Sequence, residues 1–309
     1  MIRVLRLDRP TAERLRAAPP DAGRVHSAFA GAINLAWHDG RLLALHGPGP
    51  LRAPFALALS ALPGSRSGAA IRATGVAIDV DGARLAWDGA RVADLRMPRG
   101  DLEAEMPALG ALLESRGEDE APALSGLGAR RARSRAAEGL AARDPDGFLE
   151  GARALIGLGE GLTPAGDDCL IGALAAIHRF EPGWLALHGE IGDGLAAAAW
   201  DGTTDIAREF VLHAVAGRFS EPVLDVLTAG SDSAIRAAAL RLRRMGATSG
   251  ADTLAGIRLA LDALACLFDG SGPREARDAL QAESAGACDD RRSEPRSMTI
   301  CTPHGEVAR

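Results

Sequence analysis

The run Gly157-Leu158-Gly159-Glu160-Gly161-Leu162-Thr163-Pro164-Ala165-Gly166-Asp167-Asp168, followed by Cys169-Leu170-Ile171-Gly172, constrains this chain more than any other stretch. Alternating glycines open backbone conformations that other residues avoid. Thr-Pro and then Asp-Asp, ahead of Leu170, Leu174 and Ile177, read as the start of a helix. A glycine loop entering a helix N-terminus presents free amides at the positive end of the helix dipole, which suits an anion.

The pattern recurs. Gly250-Ala251-Asp252-Thr253-Leu254-Ala255-Gly256 and Gly166-Asp167-Asp168-Cys169-Leu170-Ile171-Gly172 both read Gly-x-Asp-x-Leu-x-Gly. Each follows a small hydroxyl-bearing turn, Thr163-Pro164-Ala165 in one case and Thr248-Ser249 in the other. In each copy Asp and the last Gly are four apart and share a helix face, where glycine lets a second backbone approach. Two such starts predict two helices packed side by side, their N-termini directed at one place. Asp167, Asp168 and Asp252 complicate an anion site, because carboxylates repel phosphate although the helix dipole favours them. They are helix caps, ligands for a Mg²⁺ that bridges to phosphate, or carboxylates that orient an amide or ammonium group.

Composition sets the available chemistry. The 309 residues include no lysine and no tyrosine, so a phosphate-loop lysine, a Schiff base and a phenolic acid are all excluded. Arginine and backbone amides remain as anion clamps. A net charge of -6 gives no global basic field for nucleic acid or an anionic membrane. Cys169, Cys266, Cys288 and Cys301 have no metal or disulfide spacing, and Cys169 and Cys266 read as core residues. The N-terminus has no signal-peptide core and no apolar run reaches a membrane span, so the expectation is a cytoplasmic protein that binds a small anionic substrate.

The expected fold class is α+β, with a small N-terminal antiparallel β domain over residues 1–98 and a mostly helical domain over 99–269. Short apolar runs at Val25–Ala30, Ala32–Trp37, Arg41–Leu45, Phe55–Leu59, Val76–Val80, Arg84–Trp87 and Arg91–Leu95 predict strands. Asp39-Gly40, Asp81-Gly82 and Asp88-Gly89 separate them as hairpin signals. Helical spacing begins with Leu102, Met106, Leu109, Leu112 and Leu113, passes an acidic linker at Gly117-Glu118-Asp119-Glu120, and continues from Leu124 to Ala142. Asp144-Pro145 predicts a cap and first helical residue, and Thr203-Thr204-Asp205 predicts another helix start, stopped at Gly217. Further helices are expected over Ser220–Ala229, Ser231–Met245 and Asp252–Phe268, with a Gly-rich segment between Phe180 and Thr203. Residues 270–309 lack a periodic apolar face and are expected to be disordered.

Other motifs carry less. Gly157-x-Gly159-x-Gly161 follows a helix rather than a strand, so it is not a dinucleotide fingerprint. Arg130, Arg131, Arg133 and Arg135 read as a solvated helix face. His178, His188 and His213 have no metal-ligand spacing, and His26 beside Ser27 is a weak site candidate.

The run from Gly159 to Gly172 resembles the Gly-x-Gly-Leu-Thr-Pro-Ser-Gly-Asp-Asp-Phe-Leu-x-Gly signature of a bacterial family that includes a subunit of oxamate carbamoyltransferase, from allantoin degradation. Gly246 to Gly256 is similar to the family's second signature; Val25-His26-Ser27-x-Phe29 with Asn34, and Thr203-Thr204, are similar to weaker ones. The resemblance extends over roughly Gly23 to Phe268. Ala165, Cys169 and Ala247 stand where the family pattern has serine, an aromatic residue and histidine. The resemblance implies carbamoyl transfer among carbamoyl phosphate, oxamate and oxalurate within a multi-subunit assembly. On that reading the amides of Gly159, Gly161 and Gly166 with Thr163, and Thr248, Ser249 and Gly250 opposite, are expected to bind the anions, and Asp167 and Asp168 to orient the amino groups. Thr203, Thr204, His26 and Ser27 join as substrate-binding candidates, and no cofactor is required. Asp167, Asp168 and Asp252 would serve a rival Mg²⁺-dependent hydrolase or phosphotransferase. A non-catalytic subunit is the third reading.

Overall fold

The computed structural model describes residues 1–17, 21–105, 108–109 and 122–267. The linker 117–120, Met106, Leu112, Leu113, Phe268 and the tail 270–309 lie outside the described residues.

The β region is a closed barrel, which corrects the expectation of a simple antiparallel domain. Its strands are β1 (Ile2–Asp8), β2 (Asp21–Ala28), β3 (Ala32–Trp37), β4 (Leu42–His46), β5 (Ala56–Leu59), β6 (Ala70–Thr74), β7 (Ala77–Val80), β8 (Ala83–Ala86) and β9 (Arg91–Ala93). The order β5-β4-β3-β2-β6-β7-β8-β1 closes when β1 pairs with β5, and β9 adds on to β1. β1 runs parallel to β8 and β9, and β4 runs parallel to β5. Asp39-Gly40 and Asp81-Gly82 do turn antiparallel hairpins, with Gly40 at φ 76° and Gly82 at φ 81°. Asp88-Gly89 does not, because β8 and β9 both align along β1 instead of pairing with each other. Closure leaves the eight barrel strands with no free edge.

Inward residues such as Val4, Leu7, Leu35, Leu45, Leu57 and Ile78 fill the barrel, and α1 (Arg9–Ala17) adds Ala12 and Leu15 to the same core. The outward-facing Leu42, Ala44, Ala56 and Ala58, with Leu51, Phe55 and Leu95, instead pack on Ile206 and Phe210 of the helical region. That second face is why the barrel sits firmly on the helices.

The helices are α2 (Leu127–Ala141), α3 (Pro145–Leu155), α4 (Ala165–Phe180), α5 (Pro182–Leu187), α6 (Gly189–Gly202), α7 (Asp205–Val215), α8 (Glu221–Thr228), α9 (Asp232–Arg243) and α10 (Ser249–Ala265). Asp144 caps α3 by accepting the Gly147 amide at 3.0 Å, with Pro145 in the first turn. Gly217, at φ 72°, stops the chain after α7. The segment read as Gly-rich is helical as α5 and α6. Gly194 is a packing residue there, since a Cβ would press on Leu149 and the Arg153 guanidinium.

Polar ties fasten the junction. Phe219 N–H donates to Leu95 O and Met97 N–H to Gly217 O, both at 2.9 Å. The buried pair Asp8–Arg218 and the pair Arg6–Glu221 cross from β1 to the helices. Arg41 binds the buried Glu209 carboxylate at 2.8 Å. Among the described residues no helix is long and apolar enough to cross a membrane.

Candidate active site

The glycine loop is braced by side chains from the helix starts around it. Gly157, Gly159 and Gly161 take φ values of 74°, 122° and 93°, which L side chains rarely adopt. Asp167 is fully buried; one carboxyl oxygen accepts the Gly157 amide at 3.1 Å and the other accepts the Thr203 hydroxyl at 2.6 Å. Burial pushes the Asp167 carboxyl up to about 6, against the pull of those two bonds. Thr204 caps α7 through the Ala207 amide at 3.1 Å and donates its hydroxyl to Leu162 O at 2.5 Å. Asp167, Thr203 and Thr204 thus hold the loop in shape.

The two signatures do pack together, and reciprocally. A Cβ on Gly172 would collide with the Thr253 carbonyl of α10, and one on Gly256 with the Cys169 carbonyl of α4. Gly166 sits on the Leu155 carbonyl at the end of α3, and Gly250 on the Leu242 carbonyl near the end of α9. Gly166 and Gly250, Gly172 and Gly256, and Asp168 and Asp252 share one offset of 84 residues, whereas the preceding Leu155 and Leu242 are 87 apart, so the echo is a structural repeat of helix, turn and helix with turns of different length. The turns meet where the Thr163 and Ser249 hydroxyls bond at 2.7 Å. The amides of Gly166 and Gly250 are already given to Leu158 O and Met245 O, whereas those of Gly159 through Thr163 donate to no other described backbone carbonyl.

Beside that hydroxyl pair lies a cavity of about 190 Å³ between barrel and helices. Of the residues expected from the sequence, Thr163, Asp168, Ser249 and Gly250 line it. Asp168 is 6% exposed, and its Oδ2 is buried with no hydrogen-bond partner. Burial drives its carboxyl well above the ordinary range; the Ser249 and Thr163 hydroxyls pull it down, and the Asp252 and Asp167 charges push it further up. His46, Arg52, Phe210, Arg218 and Met245 also line it, along with apolar residues such as Ile171, Phe219 and Val223. Sequence reading missed these. Their signal is tertiary, although a histidine ending an apolar strand just before a Gly-Pro loop with an arginine was available as a clue.

Asp252 corresponds to Asp168 but has a different fate. It is fully buried, both oxygens lack a hydrogen bond of normal geometry, and it does not line the cavity. Burial raises its pKa, while the Thr248 hydroxyl and the Arg133 charge draw it back partway. Arg133 is therefore not part of a solvated face: it is half-buried on α2, beside Cys169 and Asp252. Burial pushes the Cys169 thiol up to about 11, which removes it as a nucleophile.

Gly159, Gly161, Gly166, Asp167, Thr203, Thr204 and Thr248 surround the helix starts without lining the cavity. His26 and Ser27 are likewise outside it: His26 bonds Ser27 at 3.1 Å and Asp205 at 3.2 Å, and Ser27 accepts the Asn34 amide at 3.0 Å. His178 bonds Val215 O, and His213 stacks on Phe55 at 5.5 Å. A larger cavity, about 300 Å³, opens at the barrel mouth near Trp37 and His213, but its charged residues are already paired, Arg14 with Asp39 and Arg41 with Glu209. Among the described residues no group of three or more His, Cys, Asp or Glu is arranged to hold a metal ion.

A closed barrel clamped to a duplicated glycine-helix pair, with a largely apolar cavity between them that carries a few polar side chains, defines an α+β protein. Residues 3–96 match the model of the AllH family N-terminal domain, and residues 155–261 match that of oxamate carbamoyltransferase subunit AllH. Together the two matches take in most of the chain, which belongs to the AllH family of oxamate carbamoyltransferase subunits. No curated protein and no solved structure matches it.

Proposed function

We propose that the cavity binds the small anionic substrates of carbamoyl transfer, namely carbamoyl phosphate, oxamate and oxalurate, within a cytoplasmic hetero-oligomeric enzyme of allantoin degradation. The observation that carries this reading is the buried, unpartnered Asp168 Oδ2 beside the Thr163–Ser249 hydroxyl pair. A buried polar atom without a partner is rare unless a ligand or water completes it. The amide NH₂ that distinguishes a carbamoyl compound from a simple carboxylate is a fitting donor for it. Arg52 supplies positive charge for a carboxylate or phosphate, while Arg218 is committed to Asp8. Transfer between two such anions rests on positioning and on stabilising charge at the carbamoyl carbonyl, with no covalent step on the protein.

The reading of a non-catalytic subunit draws on a different observation: Asp167, Thr203, Gly166 and Gly250 are all spent on internal bonds. Thermal unfolding of the full chain with oxamate or carbamoyl phosphate separates the two. Stabilisation that is lost in Asp168→Asn supports the binding site. No stabilisation by either compound, in the chain alone or with its co-purified subunits, leaves only the packing role. Mg²⁺ alone should leave the unfolding temperature unchanged; a rise abolished by Asp168→Asn would revive the metal-dependent hydrolase or phosphotransferase.

A further inference from the structure

His46 ends β4, and strand parity aims it. Leu43 and Leu45 enter the barrel core, whereas Leu42 and Ala44 face the helices, so His46 falls on the helical side. There it lines the same cavity as Asp168, and its Nδ1 is buried without a partner. Arg52, from the loop between β4 and β5, lines that cavity too and lies close enough for its charge to act on the imidazole. This largely apolar cavity thus has, on each wall, a lining residue with an orphaned polar atom, one from the barrel and one from the helix pair. Native proteins pair nearly all buried polar groups, so two residues of one cavity wall that each keep an orphaned atom point to a ligand that engages both sides.

We propose that His46 and Arg52 form a second, barrel-borne wall of the ligand site, which holds the anionic end of a small planar ligand while Asp168 takes its amide end. The inference rests on the reading that this cavity binds carbamoyl-transfer substrates. It adds a direction. Asp168 offers an acceptor to an amide and the Arg52 side attracts an anion, so a ligand with a carboxylate at one end and an amide at the other enters in one orientation. His46 suits its place: burial and the neighbouring Arg52 hold its pKa down to about 4, so a neutral imidazole can offer one N–H to the anion without a counter-ion. The barrel is then part of the site, and the ligand bridges the two regions.

The test compares oxamate, which has a carboxylate and an amide, with oxalate, which has two carboxylates, by calorimetry on the full chain. Arg52→Ala should weaken both by about ten-fold or more, as expected for losing a charge-assisted hydrogen bond. Asp168→Asn should weaken oxamate while leaving oxalate within about two-fold. His46→Ala should weaken both, and His46→Gln, which keeps a side-chain N–H, should recover most of the loss. Arg52 is exposed, so its variant is no risk to folding and stands as the cleaner arm. Oxamate binding that Asp168→Asn removes but Arg52→Ala and His46→Ala leave intact would overturn the barrel wall and spare the helix site. Absence of oxamate binding to the wild-type chain, both alone and with its co-purified subunits, would overturn the site itself.

Discussion

The starts of α4 and α10 share one sequence pattern and one packing geometry, yet they differ in chemistry. Gly172 and Gly256 let each helix rest on the other's backbone, and Gly166 and Gly250 let each rest on the helix before it. Asp168 on α4 faces a cavity lined with Thr163 and Ser249; Asp252 on α10 is sealed beside Arg133. The same 84-residue offset that relates the two acids relates Thr163 to Ala247 and Ser249 to Ala165, so each half gives one hydroxyl to the Asp168 side and the equivalent positions on the Asp252 side are both alanine. Glycine duplicates a shape, because it acts through backbone approach. A site needs the side chains as well, and the two halves together supply them around Asp168 but not around Asp252.

The comparison can be broken at its glycines, where the largest effect is expected. Gly172→Val and Gly256→Val each drive a side chain into a backbone carbonyl that has no rotamer to yield, so each should cost about 3 kcal/mol or more and drop the unfolding temperature steeply. Matching losses in denaturant unfolding would bear out the reciprocal contact; a mild effect at either position would break it.

Next in size is a pH effect. The Asp167 carboxyl midpoint moves from the ordinary 3.8 to about 6, so the fold favours its protonated form. The stability this confers is fully present below about pH 4 and is lost as pH rises to about 6, up to about 3 kcal/mol. Asp167→Asn keeps an acceptor for Gly157 and a partner for Thr203, so its stability relative to wild type should improve from pH 4.5 to pH 7. Parallel curves for variant and wild type would sink the assignment.

Asp252→Asn sharpens the contrast between the halves. Relieving a buried carboxyl whose oxygens are unpartnered should stabilise the chain at pH 7.5 by about 1 kcal/mol. Oxamate affinity should stay within about two-fold, since this side chain is outside the cavity. Asp168→Asn should gain similar stability but lose the ligand. Equal binding losses in both variants would show that the halves are functionally alike. The smallest change is expected at Gly161→Ala: its Cβ meets nothing within 4 Å, so only the positive φ costs, about 1 kcal/mol by chemical denaturation.

Local signals in the sequence translated well into structure. Asp144-Pro145, Thr204 and Gly217 mark helix ends through contacts within a few residues, and Asp81-Gly82 turns a hairpin on its own dihedral preference. The repeat around Gly166 and Gly250 was legible because both copies need glycine for the same close approach. Asp88-Gly89 misled, since its strands are separated by β1, whose sequence lies more than 80 residues away. The glycines between Phe180 and Thr203 misled in the opposite sense, serving helix packing where they read as loop.

What the sequence determined by itself was the pair of glycine-led helices, the absence of lysine and tyrosine chemistry, and the α+β division. Each of these follows from residue identity or short-range geometry. Tertiary structure alone decided that the strands close into a barrel, that Asp167 is a brace while Asp168 faces a cavity, and that His46 and Arg52 share that cavity. Parallel pairing and burial depend on which distant segments meet, and the local chain carries no code for them.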